Sequence, residues 1–358
     1  MPKTRYVIIG GGLAGTLFTQ TLEKFGIEDF LLVDAPGYSN SSRVAGGMFN
    51  PVVFRRLQKT WMADEIIPYL HDFYPDMEKK LGVRFFHPRK LLKILSDEEK
   101  AFWKTKTSEN HYLSHQANHY FPQHQIYHPD GAGLVNQAGN VDTNTLLEAW
   151  HNFLKKKNKI RESKVSFEDI IIDDKAVRWK DVEAEYLIFA EGWKVTENPF
   201  FNYIPMKPAK GDVLQIEVPG FTTDHIINKK ICTLPSGGNT FRVGATYQWE
   251  NLNEIPETQS REEISQTLKQ YLKLPFTIED QKAAVRPVVG DRRPVLGSHP
   301  EHNRLLIFNG LGTKGVMLGP YFARHMVNHL EKNKTLMPEV NVERFQRRWF
   351  KKEIEVQT

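Results

Sequence analysis

Tyr6-Val7-Ile8-Ile9, then Gly10-Gly11-Gly12-Leu13-Ala14-Gly15, then Leu31-Leu32-Val33-Asp34 decide how this 358-residue chain is read. An apolar run leads into Gly-x-Gly-x-x-Gly, a helix-like stretch follows, and a second apolar run ends in an acid. Each part has a physical task in holding a dinucleotide. Gly10 permits a tight turn out of the first strand, and Gly12 lets backbone approach a pyrophosphate. Beyond Leu13 and Ala14, Gly15 lets helix and strand pack closely. The helix N-terminus offers N–H groups and the positive end of its dipole to phosphate. Asp34, twenty-four residues after Gly10, is placed to accept hydrogen bonds from a ribose diol. Strand, glycines, helix and acid in this order are far more specific than a glycine triplet alone.

The rest of the composition is that of an ordinary soluble protein, with 40% hydrophobic and 25% charged residues. The length suits two domains around substantial cores. Met1-Pro2-Lys3-Thr4-Arg5 leads directly into the first strand, which leaves no room for a signal peptide, and no apolar run spans a bilayer. A single cysteine, Cys232, excludes an internal disulfide and fits a reducing compartment, so a cytoplasmic protein is expected. The net charge of +5 permits an anionic substrate or a nucleic acid without demanding either.

Periodicity predicts a helix from Trp61 to Leu81, and two short strands at 83–86 and 91–95 around His87-Pro88-Arg89. Residues 96–140 show no clear period. Asp142 or Thr143 caps a predicted helix from Leu146 to Lys156. Strands are expected around Lys164 to Phe167, over Tyr186 to Gly192, and at Asp212–Val218, Ile226–Leu234, Thr240–Tyr247 and Leu305–Phe308. Helices are expected from Ser260, acting as cap, to Leu272, and from about Val316 to Glu331. The order points to an α/β protein: a Rossmann-like, doubly wound nucleotide-binding domain (residues 1–82, 141–205 and 284–358) and a discontinuous, mainly antiparallel-sheet substrate domain (83–140 and 206–283).

Three segments favour a flavin dinucleotide over a nicotinamide one. Arg43-Val44-Ala45-Gly46-Gly47-Met48, running on to Pro51, is rich enough in small residues to let backbone pass a flat ring system. The strand ending Ala190-Glu191-Gly192 can return beside the first phosphate loop. Asn309-Gly310-Leu311-Gly312-Thr313-Lys314-Gly315, just ahead of Val316 and the last helix, offers N–H groups and a helix dipole to a group that becomes anionic. The N1–C2=O edge of a reduced flavin is such a group, because hydride arriving at N5 places negative charge there.

These segments resemble the FAD-dependent D-amino acid oxidase superfamily, particularly its glycine/sarcosine oxidase branch. The likeness covers residues 4–50, Val141 to Trp150, Tyr186 to Trp193, Pro208 to Val213, Leu234 to Tyr247 and Ala284 to Pro320, about half of the chain. Arg286-Pro287, Asp291-Arg292-Arg293-Pro294-Val295-Leu296-Gly297 and the Gly310–Gly315 turn are its most specific parts. The resemblance implies bound FAD, with Val165 among its contacts, and oxidation of a C–N bond by hydride transfer to flavin N5. The substrate implied is a small amino acid or N-alkylglycine, with O2 or another acceptor reoxidising the flavin.

The resemblance places Arg286 on the substrate carboxylate; an ion pair between Arg286 and Asp291 or another acid that ties the domains is the alternative. Lys314 is the second candidate catalytic residue, set against a surface lysine on an anion-binding turn. Its turn departs from the amino-acid oxidases. It resembles the FAD domain of the bacterial enzyme that demodifies carboxymethylaminomethyl-uridine in tRNA, so a tRNA substrate is the second reading. A flavin-binding protein without catalysis is a third. Tyr247 reads as a sheet aromatic that could also point into the site. Family members with covalent flavin carry a cysteine near the Arg-Pro region; none stands here, which implies noncovalent FAD.

His111, His115 and His119 are spaced at i, i+4 and i+8, with His124 and His128 beyond, but no acid or cysteine completes a metal site, so none is expected. The basic runs Lys155-Lys156-Lys157 and Arg344 to Lys352 suit solvated helix faces as well as phosphate.

Overall fold

A computed structural model describes residues 1–37, 41–114 and 125–357, with side chains as far as residue 352. The fingerprint strand, Lys3–Ile9, lies at the centre of a sheet and pairs in parallel with Phe30–Asp34 on one side and Val182–Phe189 on the other. Ile160–Glu162 and Leu305–Asn309 extend the parallel ladder outward. Val295–Ser298 closes one edge antiparallel, and a hairpin of Ile170–Ile172 and Val177–Trp179 flanks the start of Val182–Phe189.

Successive side chains of a strand point to opposite faces, and here both faces are covered. Ile8, Leu32, Ile188 and Leu306 enter one core with helices Leu13–Lys24, Ala63–Leu81, Thr143–Lys156 and Gly315–Lys332. Val7, Val33, Leu187 and Ile307 enter the other with Phe201, Tyr203 and Trp349. Burial on both faces explains why these strands read as continuous apolar runs.

A second sheet has the order Thr277–Arg286, Ala209–Glu217, Thr240–Gly244, Ile231–Gly237, Ile226–Lys229, Phe86–Ile94, Ala132–Val141 and Met48–Phe49. All these pairs are antiparallel except Ile226–Lys229 against Phe86–Ile94. Met48–Phe49 thus carries the small-residue segment after the fingerprint onto the edge of the second sheet. Among the described residues no helix is long and apolar enough to cross a membrane.

Several sequence expectations need correction. The two strands expected at 83–86 and 91–95 are one, Phe86–Ile94, with a register shift between Arg89 and Leu91. Pro88 is tolerated because only Leu91–Lys93 have a neighbour on the second side. Within 96–140 there is a helix, Asp97–Glu109, closed by a Ser96/Glu99 capping box; only its Trp103 is buried, so it has no apolar stripe to read. The expected strand at Lys164–Phe167 lies earlier, at Ile160–Glu162, and Ser163 N–H, bonded to Asp34 O, ends the ladder before Val165. Ile226–Leu234 is not one strand but a hairpin that reverses at Lys230, whose φ is 62°. The helix expected to be capped by Ser260 starts at Thr258 instead, and Ser260 is buried inside it. Asp142, by contrast, caps Thr143–Lys156 through bonds from the N–H groups of Asn144 and Thr145.

Candidate active site

The two sheets meet along a cavity of about 760 Å³, within the range of ligand and cofactor sites. At one end lies the fingerprint turn. Gly10 has φ 109°, and a Cβ there would stand 2.5 Å from Ala190 O. Gly15 does not line the cavity: a Cβ on it would come within 2.0 Å of Gly10 O, so its part is helix–strand packing. The N–H of Gly11 donates to Asp34 Oδ1 at 2.8 Å, which holds the acid at the turn. Gly12, Leu13, Ala14 and Asp34 line the wall, as do Ala190, Glu191, Gly192 and, from the loop beyond its expected strand, Val165. The Leu13–Lys24 helix has no side-chain cap from Gly12; instead Ser42 Oγ accepts from Leu13 N–H at 2.9 Å.

Glu191 is enclosed, and burial pushes its carboxyl up to about 7, although Asn198 donates to it at 2.6 Å. It therefore adds little negative charge to the cavity wall below neutral pH.

The middle of the cavity is formed by Ala45, Gly46, Gly47 and Met48. Gly47 has φ 63°, and a Cβ there would meet Val141 O at 1.9 Å, so only glycine fits. Arg242, reaching from the second sheet, donates to Ala45 O at 2.9 Å and fixes this segment. Arg43 does not line the cavity. It sits on the short helix Ser41–Val44, where its guanidinium comes within 3.9 Å of Glu148.

At the far end Gly312, Thr313, Lys314, Gly315 and Val316 line the wall where the last long helix begins. Gly310 lies behind it, at φ 72° with its Cβ position against Val289, and shapes the turn without facing the space. Asn309 joins the two crossings: its side chain donates to Gly192 O at 2.9 Å and accepts from Gly310 N–H at 2.8 Å. The Lys314 ammonium donates to Thr60 Oγ1 at 2.5 Å. No carboxylate among the described residues lies in ion-pair range of it, and burial lowers its pKa to about 8.

Arg286 also faces this end. Its guanidinium donates to Lys210 O and Thr246 O, both at 3.2 Å, and makes a longer contact of 3.5 Å to Ala209 O. Gly211 makes that pose feasible, since a Cβ there would lie 2.2 Å from Arg286 Nη2. Asp291, the alternative partner, is engaged with Arg344 at 2.9 Å instead. Among the described residues no carboxylate pairs with Arg286, and burial lowers its pKa. Carbonyl oxygens do not neutralise a guanidinium, and Asp212 acts on it only from beyond ion-pair range, so the arrangement suits an incoming planar anion.

Sequence reasoning missed Ser42, Thr60 and Arg242, none of which carries a local signal, and it gave Asn309 no role of its own. Tyr247 lies beyond its strand, lines the cavity and is 53% exposed, so it is not a packed sheet aromatic. Cys232, far from the Arg-Pro region in sequence, lines the cavity too; it is buried beside Asn228, and burial pushes its thiol up to about 11. Of the histidine series, His115, His119 and His124 lie outside the described residues, while His111 stands 3.5 Å from Asp64. Among the described residues no group of three metal-ligating side chains forms. The basic runs find local partners: Lys155 pairs with Glu162, Lys157 with Glu23, and Trp349 is buried against His299.

Residues 5–329 match the family of FAD dependent oxidoreductases. A glycine oxidase of Bacillus licheniformis is 31% identical over 148 residues, 38% of this chain and 39% of that protein. The match thus spans well under half of that relative's length. Among solved structures, glycine oxidase from Bacillus cereus superposes with a TM-score of 0.75 at 20% identity, covering 93% of this chain and 96% of its own. Iminodiacetate oxidase from Chelativorans gives 0.74 at 18% identity, covering 95% and 98%. At those identities the structures speak for the fold.

Proposed function

The chain belongs to the FAD-dependent oxidoreductase family, and on that footing we propose that it oxidises the C–N bond of a small amino acid or N-alkylglycine. The cofactor is FAD, and the reading includes noncovalent attachment, O2 or another acceptor as the final oxidant, and a cytoplasmic location. One observation carries it: Arg286, a cation without a carboxylate partner among the described residues, faces the same cavity as the dinucleotide turn. FAD, when bound, supplies a two-electron acceptor for the hydride of the carbon that bears the amine.

The protein's own task is positioning. Asp34 and the Gly10–Gly15 turn hold the nucleotide end, with Val165, Ala190, Glu191 and Gly192 alongside. Ala45–Met48 would flank the ring, and the Gly312–Val316 turn would set the start of the last long helix, with its dipole, toward the edge that becomes anionic. Arg286 takes the substrate carboxylate on a planar fork, which orients the carbon to be oxidised. Lys314, in the Gly312–Val316 turn, would add positive charge toward the flavin edge that becomes anionic on reduction. An amine that arrives neutral needs no protein base; the imine formed is hydrolysed by water to a carbonyl compound and the released amine. Glycine and iminodiacetate, named in the relatives' activities, are both carboxylates bearing such an amine.

A second reading, oxidation of a carboxymethylaminomethyl group on tRNA, draws support from Lys164, Lys194 and Lys230 on the cavity wall. Anaerobic mixing with sarcosine, glycine and other amines tests the first reading. Flavin absorbance should bleach, and Arg286→Lys should lower kcat/KM about a hundredfold through KM. An unchanged apparent affinity would remove the carboxylate role. RNA that copurifies at low salt and dissociates at high salt would favour the second reading.

A further inference from the structure

Behind Arg286 the second sheet carries charge where apolar packing would serve. Along Ala209–Glu217 alternate side chains face opposite ways. Gly211 and Val213 line the cavity, while Lys210 and Asp212 are fully buried on the other face. Farther along that face Leu214 and Ile216 share an apolar core with Ile264 and Leu268 of the helix Thr258–Lys269. Next to Arg286 the filling is ionic instead. The Lys210 ammonium donates to Glu257 Oε1 at 2.7 Å and to Asn253 Oδ1 at 2.8 Å. Glu257 also accepts from the Gln248 side chain at 2.9 Å, and its N–H donates to Asp212 Oδ1 at 3.0 Å. A buried ion pair is weak evidence for stability, because apolar residues of similar volume often serve as well or better.

What these bonds hold is the backbone around Arg286. Lys210 and Gln248 exchange both backbone hydrogen bonds, at 2.9 and 3.0 Å, and Asp212 N–H donates to Thr246 Oγ1 at 3.0 Å. Residues 246–248 thus run on beside Lys210–Asp212 after the strand Thr240–Gly244 has ended. The two carbonyls nearest the guanidinium, Lys210 O and Thr246 O, come one from each of these paired segments. Tyr247, between Thr246 and Gln248, sets its ring centroid 4.4 Å from the guanidinium carbon.

We propose that Lys210, through its pair with Glu257, is a positioning residue for Arg286: it clamps residues 246–248 against the strand Ala209–Glu217 and so fixes the two carbonyls that orient the guanidinium at the cavity. The inference rests on Arg286 holding the substrate carboxylate. A long cationic side chain binds an anion best when its fork is ordered beforehand. Carbonyl oxygens order it without competing for the charge, as a carboxylate in their place would.

Binding to the FAD-loaded protein, read from perturbation of flavin absorbance, tests this without turnover. The probe is methoxyacetate, a carboxylate with no oxidisable amine. Lys210→Met should weaken it about tenfold, and Arg286→Lys at least as much. The two substitutions together should weaken it no more than Arg286→Lys alone, because a residue that acts through the fork has nothing left to order. Losses from a merely loosened fold would multiply instead. Where Lys210→Met alone folds poorly, Lys210→Met with Glu257→Leu replaces the whole pair by apolar groups. That protein should keep a urea midpoint near the wild type and still lose about tenfold in affinity. Wild-type affinity in either folded variant, or losses that multiply, would overturn the proposal and leave the role of Arg286 standing. Arg286→Lys that binds the probe as the wild type does would remove the carboxylate role, and the clamp with it.

Discussion

Replacing Lys314 with methionine keeps the length of the side chain and removes its charge. Burial brings the ammonium from the ordinary 10.5 down to about 8. At about 1.4 kcal/mol per pH unit, that fall amounts to roughly 3 kcal/mol acting against the folded protein at neutral pH. The substitution also removes the bond to Thr60, worth about 1 kcal/mol; the Thr60 hydroxyl keeps its contact to Asn50 O at 3.2 Å. FAD-free Lys314→Met protein should therefore be about 2 kcal/mol more stable than wild type near pH 7. Between about pH 8 and 10.5 the unfolded lysine still holds its proton and the folded one has released it. The unfolded state then binds more protons, so wild-type stability climbs with pH across that window, and the variant lacks the climb. Its advantage should vanish and become a deficit of about 1 kcal/mol above the window. Urea denaturation of both proteins at a series of pH values gives the difference curve. Other lysines and tyrosines titrate equally in the two proteins and cancel. A flat difference across the window would refute a charge buried at this position. In the FAD-loaded enzyme the same substitution should lower kcat/KM at least about tenfold, because it removes positive charge where negative charge develops.

Gly11→Ala drives a Cβ to 2.5 Å from the Asp34 carboxyl carbon, so either the turn or the acid must move. FAD affinity should fall about ten- to a hundredfold, measured by flavin fluorescence titration, while unfolding changes much less; unaltered affinity would remove Asp34 from the nucleotide site. Acid precipitation should release all the flavin into the supernatant, since Cys232 is engaged with Asn228 and its thiol stays protonated up to about pH 11. Flavin retained in the pellet would show a covalent bond.

What was legible in the sequence is what short stretches of chain decide by themselves. Gly10, Gly12 and Asp34 are set by the geometry of one strand–turn–helix unit, and Asp142 announces a helix start by capping it. Strands buried on both faces gave unbroken apolar runs. The helix at Asp97–Glu109 was hidden because one buried residue makes no period, and the strand at Ala132–Val141 because Gly133 and Gly139 sit where aromatic rings need room: their Cβ positions fall 2.1 Å from Trp103 and 2.5 Å from Phe49. The supports of the site were invisible for another reason. Thr60 meets Lys314 across 254 positions and Arg242 meets Ala45 across 197, and no local pattern encodes such a meeting. Arg286 was found through resemblance, and only the structure shows that Asp291 is engaged by Arg344 instead.

The first and last long helices of the nucleotide-binding sheet touch through glycines: Cβ atoms on Gly315 and Gly319 would lie 2.8 and 2.2 Å from Leu13 and Leu17. The fingerprint turn and the turn at the far end of the cavity are thus the near ends of one packed pair. Three hundred residues of synthesis separate them. A nascent chain that has made its glycine fingerprint still has no cleft, because one wall and one of its two helices have not yet left the ribosome. The cleft is whole only once the last long helix has packed against the first.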